Sequence, residues 1–77
     1  NGDYEPYFSR TQMLQFNDND MRIIKENALY AIQNRDAALM ERLTTKIEEV
    51  IRIKHKFPTQ EKFIRKVIED YNYYTGE

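Results

Sequence analysis

The residues with the densest functional chemistry lie in "IRIKHKFPTQEKFIRK", residues 51–66, which holds six Lys/Arg, His55 and a single Glu. In a chain whose net charge is −1, such a cluster offers phosphate contacts. Arg52, Lys54, Lys56, Lys62, Arg65 and Lys66 would supply the cations, with Tyr73 as a stacking group. A competing reading needs no ligand. Basic side chains in the last turn of a helix stabilise its negative end, which accounts for Arg52, Lys54 and His55, and Glu61 suits the start of the next helix. Glu69 and Asp70 stand four residues after Arg65 and Lys66, where they neutralise part of the patch. An isoelectric point near 5.9 also lies well below the value above about 9 expected of a dedicated nucleic-acid domain.

Other chemistry is harder to build. "NDND" at 17–20 has the oxygen ligands of a calcium loop, yet registers starting at Asn17 or Asp18 lack the Gly and Glu that an EF-hand needs at its sixth and twelfth positions. Those four residues read instead as the start of a helix. The chain has no cysteine and one histidine, so neither a thiolate site nor an imidazole cluster is available. His55, at a basic helix end, is expected in solvent. There is no phosphate-cradling Gly loop and no nucleophile with a recognisable local signature; Ser9 is better explained as a helix cap. The expectation is a non-enzymatic protein with no cofactor, no metal and no small-molecule substrate.

The elements that would position these residues follow from length and pattern. Seventy-seven residues allow one domain with a small core, and two Gly and two Pro are too few for a turn-rich β sandwich. The pattern predicts an all-α bundle. Residues 1–8, "NGDYEPYF", lack helical period and read as an extended aromatic arm; residues 9–77 form the helical domain. Ser9 and Gln12 make a capping box for a short helix over about 10–16, which would bury Met13, Leu14 and Phe16. A helix over about 20–33 carries Met21, Ile24, Ala28, Ala31 and Ile32 on one face. Asn34 in the left-handed conformation and Asp36 as a cap would make the turn into a helix over about 36–54. Its stripe is Leu39, Met40, Leu43, Ile47, Val50 and Ile51. Pro58 stops continuation and Thr59 caps a last helix over about 60–74, with Phe63, Ile64, Val67, Ile68 and Tyr71 inward.

One face is left over. On the helix over 20–33, Ile23 and Tyr30 project roughly opposite the main stripe and Leu29 stands to its side. A helix apolar on several sides is usually covered on several sides; the arm and the short helix are the first choice of cover, another subunit the second. The Tyr-rich tail adds Tyr73 and Tyr74 as binding candidates. The expected role is a small protein–protein interaction module, an adaptor, assembly factor or inhibitor, contacting a protein partner or itself as a homodimer through Ile23, Leu29, Tyr30, Tyr73 and Tyr74. The alternative is a helical nucleic-acid-binding domain using the basic 52–66 corner. No apolar run approaches membrane-spanning length and no signal pattern is visible, so a cytoplasmic location is expected. The start at Asn1 rather than Met also fits a piece of a longer protein.

Overall fold

The computed structural model describes residues 2–76; Asn1 of the arm and Glu77 at the end of the helical domain lie outside the described residues. Four helices follow in order: α1 (Arg10–Met13), α2 (Asp18–Gln33), α3 (Ala37–Ile51) and α4 (Gln60–Thr75). Each of α2, α3 and α4 packs on the other two, and α1 sits against α3 and α4. The molecule is a small all-α bundle.

Local chemistry sets the helix starts. The Ser9–Gln12 capping box is present, a second box joins Asn17 to Asp20, and Asp36 and Thr59 cap α3 and α4 through their side chains. Each satisfies an amide that has no partner within its helix. Helix α2 thus begins at Asp18, two residues before the sequence pattern suggests.

The helix ends differ more from expectation. Between α2 and α3 it is Arg35, not Asn34, that adopts positive φ (53°), because the amides of Arg35 and Asp36 turn back to the carbonyls of Ile32 and Ala31 in a Schellman closure. Asn34 uses its side chain instead, donating to the Tyr30 carbonyl at 2.9 Å. Helix α3 stops at Ile51 rather than continuing to 54. Arg52 takes the left-handed conformation (φ 62°, ψ 41°), and the amides of Arg52 and Ile53 both donate to the Glu48 carbonyl. Helix α1 is also shorter than its pattern: residues 14–16 leave the helix, burying Phe16 but exposing Leu14.

The core gathers Phe8, Met13, Phe16, Met21, Ile24, Ile47, Phe63, Val67 and Tyr71, among others. Two stripe residues point elsewhere. Ile32 and Val50 are exposed, while Thr44 is buried in α3. The α3 face turned inward centres on Thr44, Ile47 and Ile51, with Met40 and Leu43 packed beside it, so Thr44 takes a place that the predicted seam gives to Val50.

The arm does not cover α2. It crosses to α4, where Phe8 is buried with its ring edge-on to Phe63 at a centroid distance of 5.9 Å. Asp70, expected on a polar face, is fully buried and receives the amides of Tyr7 (2.8 Å) and Phe8 (2.7 Å) together with the Tyr4 hydroxyl. Burial, then the hydrogen bond to the Asp70 carboxylate, push the Tyr4 phenol well above its ordinary value. The Tyr74 hydroxyl donates to the Phe8 carbonyl at 2.8 Å, completing a seal along one flank of α4.

Candidate docking surface

With the arm on one flank of α4, the other flank is open. Residues 18 and 71 meet where Tyr71 donates its hydroxyl to Asp18 at 2.7 Å, so α2 and α4 run antiparallel. Between them lies an apolar groove of about 260 Å³. Leu29 and Ile32 of α2, Ile64 and Ile68 of α4, and Met40 from the start of α3 form its walls and floor. Leu29 is 56% exposed, which is informative because it adjoins other apolar side chains in one groove rather than standing alone. Its rim is charged: Lys25 on the α2 side, Glu61, Arg65 and Glu69 on the α4 side. Arg65 is paired with Glu61 at 2.9 Å.

The remaining interface candidates scatter. Tyr30, 55% exposed, projects from the outer side of α2. Ile23 lines a second, smaller groove of about 210 Å³ with Val50 and Leu43, floored by Phe16, Ile24 and Ile47. Tyr73 is exposed but leans on Tyr4 (5.4 Å) and Tyr74 (5.2 Å). Tyr74 is half-buried, and its bond to Phe8 makes it part of the arm seal rather than a free contact. Only Leu29 of the five lines the larger groove. Ile32, which the sequence pattern assigns to the core face, is exposed and joins it there; Ile64 is buried as that pattern expects and forms the floor, with half-buried Ile68 beside it. Their positions beside that face at helical spacing are the available signal, because a flank residue is shielded only if a neighbouring helix reaches it.

The basic 52–66 stretch does not form one patch. Lys66 is half-buried and turned to the arm: its Nζ lies 4.3 Å from the centre of the Tyr4 ring, 3.3 Å from the Glu5 carbonyl and 3.8 Å from Asp70. Arg65 faces the groove on the opposite flank. What remains is Arg52, Lys54 and Lys56, exposed along the connector to α4, with Lys62 on the first turn of α4. The connector is extended, and its alternation follows from strand-like geometry, in which successive side chains point to opposite sides. Ile53, His55 and Phe57 turn inward and are half-buried; Lys54 and Lys56 turn outward. "RIKHKFP" carries that two-residue period legibly, and it marks the true end of α3.

His55 is accordingly not a solvated helix-end residue. Its ring stacks on Phe63 at 4.1 Å and 8° between planes. Nδ1 accepts the Phe57 amide (3.0 Å), which places the proton on Nε2 for donation to Gln60 Oε1 (2.9 Å), and its own amide donates to the Glu48 carboxylate (2.8 Å). Nδ1 thus ties the connector to itself at Phe57, and Nε2 ties it to the first residue of α4. Among the described residues no group of three His, Asp or Glu side chains could hold a metal ion, and no helix is long and apolar enough to cross a membrane.

The whole chain, residues 1–77, matches the family described as Domain of unknown function (DUF8484). The chain belongs to this family. No curated protein and no solved structure matches it. For this family member the fold and the distribution of its surfaces are the basis for a functional reading.

Proposed function

We propose that this protein is a non-enzymatic helical interaction module that docks an apolar-faced α-helix of a protein chain in the groove between α2 and α4. The observation that carries the reading is the set Leu29, Ile32, Ile64 and Ile68 lining one open cleft in a protein small enough that every apolar side chain matters to its core. Two antiparallel helices with an apolar furrow between them offer the ridges and grooves that a third helix packs into, and helix-in-groove recognition uses this arrangement. The charged rim around the apolar strip has the layout of a protein interface, with a hydrophobic centre and a polar edge.

The test places a photoreactive benzoylphenylalanine at Leu29 or, as a control, at exposed Glu41 on α3, in cells that make the protein. The reading expects a polypeptide adduct from position 29 and none from position 41, with the adduct lost when Ile32→Asp is added. Equal labelling from both positions, or no adduct from position 29, would overturn it.

A second reading rests on one specific observation. Arg52, Lys54 and Lys56 are all exposed on the connector that leads to α4, a short cationic edge suited to a nucleic-acid backbone. Glu48 and Glu49 border Arg52 and Lys54, and Lys66 and Arg65 are occupied elsewhere, so fewer cations are available than the sequence suggests. If this edge binds, affinity for labelled DNA or RNA falls steeply with salt, and Lys54→Glu with Lys56→Glu abolishes it; salt-insensitive or absent binding removes the reading.

A further inference from the structure

We infer that the apolar-faced helix docked on the α2–α4 groove is supplied by a second copy of this chain, whose own α2–α4 pair faces this one across a twofold axis. The inference rests on the groove being a protein-docking site and names its occupant.

Charge is the first indication. Two rim residues on opposite walls, Lys25 of α2 and Glu69 of α4, have no ion-pair partner among the described residues, whereas Arg22 and Arg65 are paired within their own helices. In a twofold contact, whenever residue i meets residue j of the partner, j also meets i. One unpaired cation and one unpaired anion flanking the same apolar strip then give two matched contacts, Lys25 to the partner's Glu69 and Glu69 to the partner's Lys25. The rim is thus self-complementary in sign.

Shape agrees with charge. Leu29 stands out from the α2 wall beside the hollow floored by Ile64, Ile68 and Met40, so one face presents both a knob and a place for one. Facing two such antiparallel pairs gives a four-helix layer, the arrangement in which such pairs bury their remaining apolar stripe. A specific dimer of modest affinity buries about 600 Å² on each copy, roughly a tenth of the 5450 Å² surface of the described chain, and α2 and α4, with 16 residues each, extend for about 24 Å. Closing the groove is also one of the usual ways a domain of this length acquires enough core.

The experiment is sedimentation equilibrium of the purified chain over a concentration series, repeated for Lys25→Glu, Glu69→Lys, their equimolar mixture, and Leu29→Glu. Lys25, Leu29 and Glu69 are exposed, so all variants should fold, and far-ultraviolet circular dichroism checks this. The wild type is expected to associate from 9.4 kDa to twice that mass. Each single reversal sets like charges against each other at both contacts and should weaken the dimer about tenfold or more, and Leu29→Glu should abolish it. The mixture should recover wild-type association, because the new carboxylate at position 25 of one variant then meets the new ammonium at position 69 of the other. A wild type that stays monomeric at millimolar concentration overturns the inference. So does a dimer indifferent to Leu29→Glu, or one whose reversals are not rescued by mixing. The docking reading fails separately: an adduct from position 29 with a different polypeptide would keep the groove and remove the second copy, whereas no adduct at all would remove both.

Discussion

The two flanks of α4 solve opposite problems. On one, residues 4–8 of the arm bring a phenol, two amides and a buried phenylalanine to Asp70, Lys66 and Phe63, and the polar groups of that seal find partners. On the other, Ile68, beside the buried Ile64, faces Leu29 and Ile32 across a groove that no other described segment covers. A short chain has cover for one flank, and chemistry selects which. A buried carboxylate is costly unless its oxygens are hydrogen-bonded, so the arm is drawn where a fixed anion and two orphan amides can satisfy each other. An aliphatic flank has no comparable hold on an extended segment whose backbone must still be hydrogen-bonded.

Substitutions in the seal should have the largest effects. Asp70→Ala leaves the Tyr7 and Phe8 amides without their acceptor and Lys66 without its counterion, and should cost about 3 kcal/mol in urea unfolding. A loss under about 1 kcal/mol would mean that the arm is held by its aromatics alone, and the two flanks would then differ less than their polar contacts imply. Phe8→Ala tests that directly, with an expected loss of about 3 kcal/mol from an emptied core site.

Tyr4→Phe removes one donor from Asp70 and should cost about 1 kcal/mol at neutral pH. Its pH signature is more particular. The folded phenol holds its proton above the unfolded value of 10.0, so the contribution of Tyr4 is complete below about pH 10 and declines as pH rises beyond it, where the unfolded state alone loses the proton. The difference in stability between wild type and Tyr4→Phe should therefore be constant through neutrality and shrink in alkali; a constant difference up to about pH 11 would contradict the seal.

The smallest effect belongs to the open flank, and its size is what sets that flank apart from the sealed one. Leu29→Ser should change the unfolding free energy of the monomer by no more than about 0.5 kcal/mol while removing association. A loss comparable to that of Phe8→Ala would show that Leu29 is core, and that the groove is closed in solution.

How much of this can be read from the sequence varies residue by residue. Ser9, Asp36 and Thr59 declare their helix starts, and the acceptors at 17–20 place that of α2 to within two residues, because capping is a bond between neighbours, decided within about four residues. Phe63, Val67 and Tyr71 declare an inward face by their spacing. Asp70 stands in the same helix beside Lys66 and looks like any solvated i,i+4 pair; its burial depends on an arm more than sixty residues away in the chain. Arg52 and Arg35 are hidden because left-handed helix ends usually carry Gly or Asn, and here closing amide bonds hold an arginine in that conformation.

An all-α chain, three principal helices, their caps and a surplus of apolar side chains on α2 are all written in the order of the residues, since each rests on local bonds or on the 3.6-residue period. Which flank the arm covers, which of the six basic side chains are already engaged, and that Leu29 and Ile68 end on the same open groove emerge only once the helices are assembled. These depend on the relative placement of α2, α3 and α4, which arises from contacts distant in sequence and which no local pattern encodes.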